Sequence, residues 1–167
     1  MFKETGIPSP DMVLKRFPPM ERINKGPVAV AECYERIPCN PCQRACKFGA
    51  IRVGDDINNL PVLDYEACTG CGLCVSRCPG LAIMIVDGSK NSSTVEMRVP
   101  YEFLPLPKPG EEVWALDRAG KRIGKVKVVK VMNPGSFDRT PIIAAEVDRA
   151  LIYAFRNISV EDSANGR

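Results

Sequence analysis

Apolar and polar positions alternate most regularly in the second half of the chain. "EVWALDR" (112–118) and "RIGKVKVVKV" (122–131) both show the two-residue period of a half-buried strand, and "RAGK" between them predicts a hairpin turn. "IIAAEV" (142–147) reads as a further strand, whereas "DRALIYAF" (148–155) fits a helix and a strand equally. Residues 97–158 are therefore expected to form a small β-rich module, a barrel or sandwich. The polar run "GSKNSSTV" (88–95) places a linker over 88–96. Residues 1–26 show little periodicity and carry Pro8, Pro10, Pro18 and Pro19, so an extended arm is expected. Phe2, Met12, Val13, Leu14, Phe17 and Met20 are many apolar residues for a free tail, which argues that the arm docks on a partner. Residues 159–167 read as a tail.

Composition narrows the class. The chain has 167 residues, enough for one domain or two small ones, and a net charge of +3 from 23 basic and 20 acidic residues. That balance is too mild to argue for nucleic acid. The row Lys125, Lys127 and Lys130 reads as a solvated strand face, since no aromatic stacking platform accompanies it. Trp114 is expected in the core or at an interface. No apolar run approaches the roughly 18 residues of a membrane helix, and the N-terminus lacks the apolar segment of a signal peptide. The cytoplasm is the expected compartment, where thiols stay reduced and disulfides are disfavoured. There is no histidine. Any soft metal must then be held by thiolate.

All eight cysteines fall between residues 33 and 78. "CYERIPCNPCQRACKFGAI" supplies Cys33, Cys39, Cys42 and Cys46; "CTGCGLCVSRCPGLAI" supplies Cys68, Cys71, Cys74 and Cys78. Cys39, Cys42 and Cys46 recur 32 residues later as Cys71, Cys74 and Cys78. Cys33 alone breaks register, standing six positions before Cys39 where Cys68 stands three before Cys71. The second copy is C-x2-C-x2-C-x3-C-P, the bacterial iron–sulfur spacing. Three cysteines at intervals of three wrap one loop around a cubane, and the loop's N–H groups can point at its sulfides. The fourth lies across a turn. Gly70 and Gly72 permit the tight loop, and Pro79 ends the turn without a competing N–H. A structural zinc site would more usually show two separated C-x2-C pairs.

Residues 27–87 resemble a bacterial-type ferredoxin with two [4Fe-4S] clusters. The eight cysteines, Pro79, the pairs Ala50–Ile51 and Ala82–Ile83, and "PVLDYEACTGCG" carry the likeness. It implies an α+β, ferredoxin-like two-cluster domain of two hairpins and two short helices, followed here by the β-rich module. "PVAVAE" (27–32) can pair with "IRV" (51–53), and "PVLD" (61–64) with "IMIV" (83–86); the helices would follow Cys42 and Cys74. The crossed ligation of such ferredoxins implies Cys33, Cys39, Cys42 and Cys78 for cluster one, and Cys68, Cys71, Cys74 and Cys46 for cluster two. Two departures touch cluster one: the longer Cys33–Cys39 gap, and Lys47 where a proline is usual. Cys33 as a free thiol beside a three-iron cluster is the alternative.

With four thiolates per cluster no iron is left open, so a non-catalytic electron carrier is expected. The cysteine region together with "PGEEVWALDRAGKRIG" also resembles the small iron–sulfur subunits of FAD-dependent dehydrogenases acting on proline, hydroxyproline, opines and similar amines. That implies a hetero-oligomer, with FAD only in the partner flavoprotein and electrons passed singly to another flavin or an external acceptor. A free soluble ferredoxin is the alternative, and a structural iron–sulfur or zinc module in a nucleic-acid enzyme a third.

Overall fold

A computed structural model of the chain describes residues 2–160. Most of the proposed tail therefore lies outside the described residues. In chain order the elements are α1 (Phe2–Thr5), α2 (Pro10–Leu14), α3 (Met20–Lys25), β1 (Val28–Ala31), α4 (Pro41–Ala45), β2 (Ile51–Arg52) and β3 (Val62–Leu63). There follow α5 (Leu73–Arg77), β4 (Ile83–Asp87), β5 (Thr94–Pro100), β6 (Glu112–Leu116), β7 (Arg122–Met132), β8 (Ile142–Asp148) and β9 (Asn157–Ser159). No helix among the described residues is long and apolar enough to cross a membrane.

Seven strands form one antiparallel sheet in the order β1-β4-β5-β8-β7-β6-β9; β2 and β3 form a separate ribbon. The strand partners differ from those expected. β1 pairs with β4 (Val28 opposite Val86, Ala31 opposite Ile83), and β2 with β3 (Ile51 opposite Leu63). Burial explains the exchange. Every residue of β1 and β4 is buried, so both strands need cover on both faces. Paired together, they present Ala29, Ala31, Ile83 and Ile85 on one face and Val28, Val30, Met84 and Val86 on the other. The two faces belong to different cores. The first backs the cysteine motifs, with Val75, Ile51 and Val53. The second joins Val95, Met97, Val99, Val113, Val126, Ile143, Ala145, Val147 and Phe155.

The stretch 88–96 is a connection within the sheet, not a link between separate modules. β5 starts at Thr94 and returns antiparallel to β4, with Asp87 opposite Glu96. The Asp87 carboxylate holds the turn by accepting from the Ser89 backbone N–H (3.0 Å) and its hydroxyl (2.6 Å). The 97–158 strands thus extend the ferredoxin sheet rather than close a barrel or sandwich of their own. The ambiguous 148–155 stretch is neither helix nor strand. It opens with a 3-10 turn, Arg149–Leu151, in which the Asp148 carboxylate accepts from the Ala150 N–H (2.8 Å).

The N-terminal arm is not extended. Ser9 caps α2, whose first residue is Pro10, and α3 begins just after Pro19. Val13, Phe17 and Ile23 are buried in the chain's own second core, and Phe17 packs edge-on against Tyr153 (5.1 Å between rings). The apolar residues that suggested a partner serve largely to fasten the arm to the sheet; Leu14 remains half exposed. Trp114 points away from the core between buried Val113 and Ala115, with Arg122 and Lys125 over its ring at 4.6 and 5.0 Å.

Candidate iron–sulfur site

Each cysteine motif folds as a loop running into a one-turn helix, α4 or α5. Both begin just before the middle cysteine, at Pro41 and Leu73, so Cys42 and Cys74 lie inside the first turn rather than ahead of it. Gly70 (φ +64°) and Gly72 (φ +84°) make the second loop. A Cβ on Gly70 would stand 2.5 Å from the Pro27 Cβ and 2.8 Å from the Pro27 carbonyl carbon, so the loop lies directly on the start of β1. In the first motif Gln43 does a similar service: its Oε1 accepts from the N–H groups of Val53 and Gly54, tying α4 to the ribbon.

The fold gathers the eight cysteines around two cavities. One, of about 380 Å³, is lined by Cys33, Cys39, Cys42 and Cys78. The other, much smaller at about 20 Å³, is lined by Cys46, Cys68, Cys71 and Cys74. Each cavity therefore draws three cysteines from one motif and the fourth from the other. The pairing of β1 with β4 sets the end of the second motif beside the start of the first, and the pairing of β2 with β3 sets the end of the first beside the start of the second. No group of three or more Cys, Asp and Glu side chains among the described residues is arranged to hold a single metal ion. Tetrahedral zinc needs its four sulfurs about 2.3 Å from one centre. A four-iron cube, with one thiolate at each corner, instead asks for four sulfurs spread around a void.

Burial and neighbouring sulfurs make the thiolate form costly in both sets. Burial pushes Cys33 up to about 11, and Cys78 and Cys42 add to the rise. Burial pushes Cys74 up to about 12, with Cys68, Cys71 and Cys46 adding to it. Iron would relieve both, because its positive charge offsets the mutual repulsion of the thiolates. Cys46 behaves differently. Burial raises it, but the backbone N–H groups of Ile51, Phe48, Ala50 and Gly49 turn toward the sulfur and hold it below the ordinary thiol range. Sulfurs accepting backbone N–H bonds include Cys46 from Ala50 (3.3 Å), Cys78 from Ala82 (3.3 Å) and Cys68 from Ala29 (3.4 Å). Ala50 and Ala82 are the matching residues of the two repeats, so the duplicated "AI" pairs have a role at the sulfur. The all-thiol donor chemistry fits iron–sulfur ligation.

The cavities differ in their walls. The smaller one has no charged side chain in its lining. The larger one reaches Glu32, Arg118 and Arg156. Glu32 is buried and paired with both arginines: Arg118 meets it through Nε (3.0 Å) and Nη2, and Arg156 through Nε (3.4 Å). Sequence reading missed all three. Glu32 adjoins Cys33, which is a hint of position only; Arg118 lies at the 112–122 hairpin turn and Arg156 beyond any motif, and neither position points to the cysteines.

Residues 35–95 match the 4Fe-4S dicluster domain family, a segment that contains seven of the eight cysteines and begins just after Cys33. The ferredoxin-type protein NapF of Haemophilus influenzae is 40% identical over 58 residues, 34% of this chain and 33% of that protein. Translation initiation factor RLI1 of Saccharomyces cerevisiae is 27% identical over 133 residues, 68% of this chain and 21% of the factor. A subunit of the ion-translocating oxidoreductase complex of Methanosarcina acetivorans is 47% identical over 47 residues, 28% of this chain and 17% of that protein. The chain thus spans a third or less of the length of these relatives. No solved structure matches it significantly. The cysteine region is of iron–sulfur, ferredoxin type.

Proposed function

We propose that the chain is an electron-transfer iron–sulfur subunit with two [4Fe-4S] clusters. Cluster one is held by Cys33, Cys39, Cys42 and Cys78, and cluster two by Cys68, Cys71, Cys74 and Cys46. The observation that carries this reading is the pair of cavities, each lined by four thiols taken three and one from the two motifs. Four thiolates per cube leave no iron open to a substrate, so the clusters exchange single electrons and bind nothing. Cys71 is the exposed member of its set and Cys74 is buried, which gives cluster two a side facing solvent and a partner.

The partner in this reading is a cytoplasmic FAD-dependent dehydrogenase of amino acids or amines. Its flavin takes two electrons from a C–N bond. The two clusters accept them one at a time and pass them to a second flavin or an external acceptor. Two relatives are named as components of ion-translocating oxidoreductase complexes, which supports a place in a larger oxidoreductase. A second reading, a free ferredoxin carrier, is favoured by the likeness to the ferredoxin-type protein NapF.

Anaerobic native purification, with iron, sulfide and flavin quantified and co-eluting chains identified, separates them. About eight iron and eight sulfide per chain, with flavin on a stable larger subunit, is the expected result. The same iron on a lone flavin-free chain supports the free carrier. Zinc without sulfide, or clusters that cannot be cycled reversibly, overturns electron transfer altogether.

A further inference from the structure

The backbone between the two ends of the first ligand set forks at one place. β1 and β4 stay paired through Glu32, whose N–H donates to the Ala82 carbonyl (2.9 Å). Beyond that bond the strands part. One leads at once into Cys33; the other is reached from Cys78 through Pro79, Gly80 and Leu81. Both cysteines face the larger cavity. The arms of the fork are thus the outermost cysteines of that set, the one out of register with its repeat and the one supplied by the other motif.

Arg156 sits in this fork. Its backbone N–H is fixed to the Leu116 carbonyl (2.8 Å), so the residue is anchored in the far part of the sheet. Its side chain, 18% exposed, reaches back with Nε to the Glu32 carboxylate (3.4 Å). Nη2 donates to the Leu81 carbonyl. One guanidinium therefore holds the residue before Cys33 and the residue three after Cys78. Leu81 has φ +50°, a left-handed conformation that is strained for a residue with a side chain and persists only where surroundings hold it. The bond to its carbonyl is one such hold. Arg118 grips the same Glu32 together with the carbonyls of Tyr153 (2.5 Å) and Ala154 (3.2 Å); among the described residues it makes no bond to the Cys78 arm.

We propose that Arg156 is a positioning residue for cluster one: it fixes the fork so that Cys33 and Cys78 reach the same cube, and it does nothing comparable for cluster two. This rests on the two-cluster reading above. It also accounts for the widened Cys33–Cys39 gap. A longer loop leaves Cys33 freer, and an anchor brought in from the distant β region replaces the constraint that the short spacing gives Cys68.

The test is site-selective loss of iron. A cube with a poorly held corner gives up one iron on oxidation: [4Fe-4S]2+ yields [3Fe-4S]+, one Fe2+ and one electron. Added ferricyanide takes the electron and becomes ferrocyanide. The three-iron product is paramagnetic and is counted by electron paramagnetic resonance. Arg156→Gln removes both bonds and leaves Glu32 still paired with Arg118, so no buried carboxylate is stranded. Under anaerobic ferricyanide, Arg156→Gln should form the three-iron signal about 10- to 100-fold faster than the parent chain. It should stop near one spin and about seven iron per chain, since only one of two cubes loses a corner. Arg149→Gln, which removes bonds to Asn24, Gly88 and Asn91 but none at either cysteine arm, should stay near the parent rate. Equal rates in Arg156→Gln and the parent overturn the proposal, as do equal acceleration by both variants or loss of iron from both clusters together. Should Arg156→Gln not fold, Arg156→Lys carries the same comparison, because one ammonium cannot bridge both acceptors in the guanidinium's geometry. A parent chain without about eight iron fails the two-cluster reading first, and the inference falls with it.

Discussion

At Gly70 a single hydrogen atom decides whether the second motif can lie on the sheet. The residue has φ +64°, and a Cβ there would meet the side chain and backbone of Pro27 well inside contact distance. Its carbonyl accepts from Arg98 Nη1 (3.3 Å), so the loop cannot simply swing outward. Gly70→Ala should therefore cost about 1–3 kcal/mol from the backbone alone, with steric displacement of the Cys68–Cys71 loop added. The expected outcome is a lower melting temperature and selective loss of iron from the second ligand set, read by iron analysis of the reconstituted protein. A full complement of iron with an unchanged melting temperature would show that the loop is not seated on Pro27. The cysteines were legible at this scale because ligand spacing is a local property of the chain. Arg156 was not: it lies 75 residues from Leu81, and nothing near it in the sequence marks it.

Elements were legible in kind and less so in partnership. The alternation over 112–131 did become the β6–β7 hairpin, with Trp114 opposite Lys125. The partners of the short apolar runs could not be read, because "VAVA" and "IMIVD" are apolar almost throughout and carry no period to mark a face. Two-residue strands such as β2 and β3 offer still less. The arm was misjudged for a related reason: prolines that suggested an extended chain instead start two short helices, and the apolar residues find their cover within the molecule. The arm's attachment is testable at two neighbouring positions. Phe17 is buried against Tyr153, so Phe17→Ala should cost about 3–5 kcal/mol. Leu14 is 49% exposed, and Leu14→Ala should stay within about 0.5–1 kcal/mol. Denaturant melts of the two variants give the comparison. Similar small losses at both positions would mean that the arm is loosely held and free to serve a partner.

In the whole molecule, β1 and β4 are a shared wall, with cysteine motifs on one side and the apolar core of the later strands on the other. The sequence reading separated these at residues 88–96, since a polar run between two differently patterned regions looks the same whether it joins modules or turns a hairpin. The difference has an energetic consequence. Val28, Val30, Met84 and Val86 are all fully buried on the face away from the cysteines. A chain ending near residue 90 would keep only the cover that Val13, Phe17 and Ile23 give this face. At about 1.5–3 kcal/mol for each side chain fully exposed, the loss is up to about 6–12 kcal/mol. That is comparable with the whole stability of an ordinary domain, about 5–15 kcal/mol. Cluster binding would offset part of it, but only after the cysteine loops had formed on a wall that no longer holds its shape. Arg118 and Arg156 would be lost as well, leaving Glu32 without either partner. Residues 1–90 expressed alone and reconstituted anaerobically should therefore aggregate or bind a hydrophobic dye strongly, and should retain well under the full chain's iron. Soluble 1–90 protein with the full iron content and a sharp thermal transition would show that the cysteine region folds by itself, and that the later strands only lean on it.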